Sequence, residues 1–171
     1  MFRKLAVAGL VALGGVAHEA RAQDPSDLVR SVNRSGPRFG VTWLSGSLVT
    51  EVKKRYDLTI SPVITQFGWQ YERQFMSIEG GPVALNEIVL LVGGLDQGTA
   101  LPSLSWLVGI RTPGQFEIGV GPNGTPAGVA LAFSIGQTFR MGALNIPVNV
   151  AVVPSRFGVR SSIITGFNIY R

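Results

Sequence analysis

Apolar and polar residues alternate with a period of two through most of the chain from residue 61 onward. This period places successive side chains on opposite faces of the backbone and is typical of β-strands. Short segments rich in Gly, Pro and Asn interrupt the alternation and predict turns, at residues 79–82, 112–115, 122–126 and 154–158. Together with an earlier alternating stretch, eight strands are predicted, at residues 39–44, 63–75, 83–92, 104–112, 116–121, 128–141, 144–153 and 159–170.

Residues 47–56 have a helical spacing instead. Leu48, Val52 and Tyr56 are each four residues apart and would share one face of a helix. An irregular loop is the alternative for this segment. A second short helix is predicted within residues 23–37, where an Asp-Pro pair suits a helix start and a Gly-Pro pair suits a helix end.

The short connections favour strands that pair with their neighbours in the sequence. Eight strands joined in this way suit a small closed barrel. The predicted fold is therefore mainly β: a single antiparallel up-and-down β-barrel of about eight strands in residues 38–171, with one or two short helices near the N-terminus.

The first 22 residues predict a cleavable signal peptide. Arg3 and Lys4 precede an apolar stretch of 13 residues, and a small-x-small pattern, Ala-Arg-Ala, follows at residues 20–22. A transmembrane helix would need about 20 apolar residues, so this stretch is too short to be a membrane anchor. We therefore expect an exported bacterial protein whose mature chain starts with a short helical leader, residues 23–37.

Removal of the signal peptide limits the chemistry of the mature chain. The only histidine, His18, lies within that peptide, and the chain has no cysteine. The mature chain would therefore lack imidazole bases, thiol nucleophiles, disulfides and the usual zinc ligands. No metal and no other cofactor is predicted.

Each of the later strands has one bulky apolar side and one small or polar side. In residues 144–153, for example, bulky Leu, Ile and Val residues alternate with Asn145, Pro147, Asn149 and Ala151. A soluble barrel turns the bulky side inward and carries charged residues on the other side. A membrane barrel turns the bulky side toward lipid and fills its interior with small and polar groups. The alternation alone leaves both architectures open.

The scarcity of charged residues favours the membrane barrel. Only 15% of the residues are charged, against about 25% in an ordinary soluble domain, and no lysine follows residue 54. The ionisable residues within strands share the small polar side, so in a membrane barrel they would point inward and pair with one another. This interpretation predicts a lumenal charge network of Glu72, Arg111, Glu117, Arg140 and Arg160. Ordinary exposed charges on a soluble sheet are the alternative.

Three features argue against a membrane barrel. Pro147 lies within a predicted strand, where it cannot donate to the ladder and implies a bulge or an edge. Glu87 shares its side with leucines and valines while the other side is hardly more polar, so the third strand is predicted to be buried on both faces. The chain also has only three Trp and three Tyr residues to form aromatic girdles at the membrane interfaces.

Two further sets of residues are candidates for contacts outside the barrel. Lys53, Lys54 and Arg55 form the only dense basic run and are candidates for contact with lipid phosphates, although a solvated helix face is the more ordinary explanation. Asp96 and Gln97 lie in the longest break between the later strands and are candidate contacts of a recognition loop. Nucleic acid is not expected as a partner, because the chain lacks a broad basic stripe and is expected to be exported.

The sequence predicts a function without catalysis. Glu72 and Glu117 are a candidate acid–base pair across the barrel, but pairing with interior arginines would keep both ionised. We expect a small outer-membrane β-barrel with a structural role or a loop-mediated interaction role, in contact with membrane lipid and with a protein partner through its loops. The alternative is a soluble periplasmic or extracellular barrel that binds a lipid or another hydrophobic ligand, with residues 47–56 as a lid or a core helix.

Overall fold

The structure is a computed structural model and describes residues 34–169. The predicted signal peptide and residues 23–33 of the predicted helical leader lie outside the described residues. Arg34 and Ser35 precede the first strand, and a 3₁₀ turn, Leu95–Gln97, follows the third. The other elements are β1 (Gly36–Leu44), α1 (Gly46–Tyr56), β2 (Val63–Ser77), β3 (Val83–Gly93), β4 (Leu101–Arg111), β5 (Phe116–Thr125), β6 (Gly128–Met141), β7 (Leu144–Ser155), β8 (Gly158–Gly166) and β9 (Asn168–Ile169).

The strands form one closed, all-antiparallel barrel. Strands that are adjacent in the chain pair with each other, apart from the short β9, and β1 also pairs with β8, which closes the ring. β9 continues the line of β8, because Val148 pairs with Thr165 and Asn145 pairs with Asn168 in one register along β7. The barrel therefore has eight strands, and a single short helix follows β1 within residues 34–169. The predicted fold class is confirmed.

One predicted turn, at residues 122–126, is wrong. Residues 122–125 continue β5 and pair with β6, so only Pro126 and Ala127 form the turn. Pro122 is accommodated because the ladder between β4 and β5 is interrupted at its position, between the pairs Ser105–Asn123 and Val108–Val120. A proline has no backbone N–H to donate, and a strand tolerates it at a position where the hydrogen bonds to the neighbouring strand are interrupted.

The bulky apolar side chains of the strands face outward. On β6 and β7, for instance, Phe133 is 47% exposed and Val150 is 40% exposed, whereas Ala132, Thr138 and Asn145 at inward positions are buried. Large exposed apolar residues of this kind occur on all eight strands of the ring. The interior is lined by small and polar side chains together with a set of buried leucines, isoleucines and valines.

The prediction that β3 is buried on both faces is wrong. Leu85, Glu87 and Val89 point into the barrel and are buried, while Ile88 and Leu90 on the alternate positions are exposed outside. The sequence of β3 lacks contrast because its inward side is apolar for most of its length. The interior of the barrel is therefore not uniformly polar.

Pro147 marks an interruption in the barrel wall. The register of β7 with β8 and β9 places Pro147 opposite Gly166, the last residue of β8. Phe167 follows and lies in the gap between β8 and β9. Pro147 has no N–H to donate, and its carbonyl oxygen accepts a hydrogen bond from Thr165 Oγ1 at 3.0 Å. The expected defect is thus a local break in one ladder of a closed barrel, and not an open edge.

The two ends of the barrel differ in their connections. At one end, here called the terminus end, lie the start of β1 and short turns at residues 78–82, 112–115 and 142–143. The other end, here called the helix end, carries α1, the loop at residues 94–100 and two-residue turns at 126–127 and 156–157. Among residues 34–169, no helix is both long enough and apolar enough to cross a membrane.

Candidate functional site

The interior of the barrel is divided into two regions of different chemistry. Near the terminus end, buried polar and charged side chains form what we call the charge cluster: Arg38, Gln70, Glu72, Glu87, Arg111 and Glu117. Near the helix end, buried apolar side chains from β1, α1 and β2 pack together: Leu44, Leu48, Val52, Ile60 and Ile64. The inward positions of a single strand can belong to either region, depending on their height along the barrel axis.

Arg111 is the centre of the charge cluster. Its Nη1 and Nη2 atoms donate to the two carboxylate oxygens of Glu72 at 2.5 and 2.7 Å. Its Nε and Nη2 atoms both donate to Glu117 Oε2, at 2.9 and 2.5 Å. The other oxygen of Glu117 accepts from Asn149 Nδ2 at 2.9 Å. A planar guanidinium that bridges two buried carboxylates in this way satisfies most of their hydrogen-bonding capacity.

The strand register explains how Arg111 and Glu117 meet. They are directly paired residues of β4 and β5, joined by the short turn at residues 112–115. Gly136 on β6 leaves room for the carboxylate, since a Cβ atom there would lie 3.0 Å from Glu117 Oε1 and 2.5 Å from Asn149 Oδ1. The small inward residues predicted from the sequence therefore make space for the charges.

Arg38 begins a second branch of the cluster that the sequence argument missed. Its Nε donates to Gln70 Oε1 at 2.8 Å, and its Nη1 donates to Asn168 Oδ1 at 2.9 Å. Gln70 Nε2 in turn donates to Glu87 Oε1 at 2.7 Å. The alternation of side chains along the strand could have predicted this, because Arg38 is four residues from Thr42 and shares the inward side of β1 with it.

Three carboxylates of the cluster lie close enough together to be considered as metal ligands. One oxygen from each of Glu72, Glu87 and Glu117 lies within 4.8 Å of the others. Arg111 already bridges two of these carboxylates and supplies the positive charge that a cation would bring. Hard divalent cations also need about six oxygen ligands. The geometry therefore favours a structural ion network over a metal centre.

Arg34 adds a further positive charge just before β1. Its Nη1 donates to Gln115 Oε1 at 2.6 Å in the β4–β5 turn. Burial lowers the pKa of this guanidinium, and the nearby Arg111 lowers it further. Arginine still stays protonated at neutral pH. Arg34, Arg38 and Arg111 therefore lie at the same end of the barrel as the acidic residues Glu72 and Glu117.

The apolar region contains a cavity of about 280 Å³. Leu48, Val52, Ile64, Leu91 and Leu107 are among the residues that form its apolar wall. The lining from β5 to β8 contains smaller and more polar side chains together with two larger apolar ones: Asn123, Ala132, Ser134, Asn149, Ala151, Arg160 and Ser162, with Val153 and Ile164. The side chains of Gln70 and Glu87 from the charge cluster line it as well. The cavity is therefore amphipathic in cross-section.

Helix α1 covers the cavity at the helix end. Leu48 and Val52 on its inner face are buried against the barrel wall, while its last turn is basic, which suits the helix dipole. Tyr56 Oη donates to the Pro126 carbonyl oxygen at 2.6 Å. Four strands separate β1 from the β5–β6 turn, so α1 crosses the barrel mouth from one side to the other. Asp57, with a φ of 53°, ends the helix.

The remaining predicted network residues lie away from the cluster. Arg160 is at the helix end, where its Nη2 donates to Asn123 Oδ1 at 2.7 Å. Arg140 is exposed at the terminus end of β6 and forms no ion pair with a described residue. The structure thus brings three of the five together: Glu72, Arg111 and Glu117. The alternation correctly predicted an inward position for Arg160 but not its height along the barrel, whereas Arg140 lies at the end of the cluster and is exposed at the rim.

The predicted loop residues make contacts within the protein. Thr65 Oγ1 donates to Asp96 Oδ1 at 2.8 Å, and Gln97 bonds both Val63 and Ser61 through its amide. These bonds hold the β3–β4 loop against the start of β2. In the basic run of α1, Arg55 pairs with Glu51 at 2.9 Å, whereas Lys53 and Lys54 are exposed. Of the five residues predicted to make contacts outside the barrel, Lys53 and Lys54 therefore make the fewest contacts within the described part of the protein.

Comparison with models of known protein families finds none that matches the chain. Comparison with curated proteins likewise finds no relative. The function is accordingly inferred from the geometry of the barrel.

Proposed function

We propose that the protein is a small integral barrel of a bacterial outer membrane, with a structural or interaction role and no catalytic one. The observation that supports this is the outer surface, which carries most of the 33 large apolar side chains that are exposed among residues 34–169. If each exposes on the order of 80 Å², their total far exceeds the largest apolar patch of a typical soluble monomer, about 300–600 Å². A lipid environment accounts for such a surface, and water does not.

The strand lengths are compatible with a bilayer. The strands of the ring contain between 9 and 15 residues, and a tilted membrane strand needs about 9–11. Trp43, Trp69, Tyr71 and Trp106 are exposed on the outer surface, where aromatic residues anchor membrane barrels. A soluble barrel that carries a lipid, the alternative from the sequence, would need the opposite sidedness.

A non-catalytic role is supported by the state of the candidate acid and base. Glu72 and Glu117 share one guanidinium, which stabilises both as carboxylates and leaves neither poised to donate a proton. An interaction role would use the helix end, where α1 exposes Lys53 and Lys54. Two lysines side by side on an exposed turn suit the phosphate groups of a lipid surface.

Fractionation of cells that produce the full chain tests the location. We expect the protein in the outer-membrane fraction, resistant to carbonate extraction, released by detergent, and faster on a gel when unheated than when boiled. Release with the periplasmic contents on osmotic shock would refute the proposal.

A further inference from the structure

We infer that the cavity beneath α1 is a binding site for one linear acyl chain whose anionic head group is held by Arg160. The inference goes beyond the proposed membrane location, because it depends only on the interior of the barrel. It names a ligand class, single-chain anionic amphiphiles, and a lid, α1.

The apolar part of the ligand is indicated by the wall that α1 and β1 to β4 provide. Leu48, Val52 and Leu91 are buried side chains of this wall. Across the cavity, the inward positions are small, notably Ala132 and Ala151. Protein interiors are close-packed, and a cavity of about 280 Å³ with this much apolar lining is costly to keep unless a ligand fills it. Larger residues at the alanine positions would have removed it.

The anionic group is indicated by Arg160. Within residues 34–169, its guanidinium donates one hydrogen bond, to the neutral amide of Asn123, and its Nε atom is shielded from solvent without a hydrogen-bond partner. The carboxylates of the charge cluster lie in the other half of the barrel, and Arg160 forms no ion pair with a residue in the range 34–169. A partly buried guanidinium without a counter-charge is unfavourable, and a ligand carboxylate or phosphate would compensate it.

The position of Arg160 fixes the orientation of the ligand. Arg160 pairs with Leu44 at the helix end of β1, so the head group lies near the barrel mouth. The tail then extends along the leucine wall toward Gln70 and Glu87, whose polar side chains end the apolar path. A cavity of about 280 Å³ has room for a chain of several methylene groups. Tyr56 and Pro126, which line the same cavity, join α1 to the far rim.

The test is equilibrium binding of fatty acid anions to the full chain refolded in lipid vesicles, or in buffer if the protein fractionates as soluble. The probes are hexanoate to tetradecanoate. We expect affinity to rise about fourfold per methylene and to level off within this series, at the length that fills the cavity. Partition into the vesicle lipid alone continues to rise with chain length, so a series without a plateau would overturn the inference.

Two variants with matched controls separate the tail site from the head-group site. Ala132→Phe fills the cavity and should lower decanoate affinity at least tenfold, whereas Ala84→Phe on the outer side of β3 should leave it unchanged. Arg160→Met should lower decanoate affinity about ten- to a hundredfold and abolish the preference for decanoate over decanol. Arg140→Met is the control, since Arg140 is exposed at the other end.

The outcomes are interpretable in each case. Unheated gel migration establishes whether each variant forms the barrel, and Ala132→Leu replaces Ala132→Phe if the larger residue prevents folding. Equal binding by wild type and the cavity-filling variant overturns the inference. The inference is also overturned if the affinity of the wild type does not depend on chain length although Arg160→Met weakens binding. Decyl phosphate run beside decanoate shows whether the head group is a phosphate or a carboxylate. The fractionation result is independent of all these measurements.

Discussion

Replacing Arg111 with methionine would leave two buried carboxylates without their common partner. The side chains of Arg111, Glu72 and Glu117 are 3%, 1% and 6% exposed, so water does not readily take the place of the guanidinium. Arg111 donates four hydrogen bonds to the two carboxylates, each worth about 1.5–3 kcal/mol when a charge is involved. Their simple total overstates the effect, because the site relaxes and admits water. Removal of one partner from a buried ion pair costs about 3–5 kcal/mol, which is the loss we expect in the free energy of unfolding.

Urea titration of the barrel in lipid vesicles measures that free energy, with tryptophan fluorescence and unheated gel migration as two independent probes. Arg140→Met is the matched control, because Arg140 is exposed at the same end of the barrel, and should cost less than about 0.5 kcal/mol. The triple variant Glu72→Gln, Arg111→Met, Glu117→Gln removes all three charges and should recover most of the loss. If Arg111→Met is no more destabilising than Arg140→Met, the cluster is solvated and the account of a dry ion network is wrong.

Three other substitutions test separate features. Gly136→Ala places a methyl group 2.5 Å from Asn149 Oδ1 and should cost about 1–3 kcal/mol by the same urea titration; an unchanged midpoint would show that the amide moves freely. Tyr56→Phe removes the bond from α1 to the β5–β6 turn, and hydrogen exchange should become faster in α1 but not in the strands; uniform exchange contradicts the lid. Val120→Arg at the middle of the outer face should lower the free energy of unfolding in a bilayer by about 2–4 kcal/mol. Val129→Arg near the rim should lower it by only about 0–1 kcal/mol. Equal costs for the two arginines would contradict membrane burial.

Much of the barrel wall is predictable from local pattern. In β6, bulky residues such as Phe133 alternate with small ones such as Ala132, and both the limits and the outward side of this strand follow from that contrast. The meeting of Arg111 with Glu117 also follows, since a short turn sets the register of the two strands. These features depend on neighbours in the chain, where the sequence is most informative.

Height along the barrel axis is not predictable in the same way. Parity places Arg160 on the inward side with Glu72, but only the stagger of all eight strands shows that they lie in different halves. Arg38 was overlooked because the first strand begins at Gly36, within the segment assigned to the leader. The course of α1 across the mouth depends on contacts with Ile60 and Ile64, which follow it in the chain, and with the distant Pro126.

The break at Pro147 has a consequence for how the closed wall fluctuates. Local opening of a closed barrel starts where an inter-strand hydrogen bond is absent. The backbone amides flanking Gly166 should therefore exchange with solvent faster than those in the rest of β8. Gly166 also faces Arg38, since a Cβ atom there would lie 2.9 Å from its Nη1. Transient parting of this seam, which lies at the terminus end of β8, would therefore give water and protons at that rim a route to the buried guanidinium.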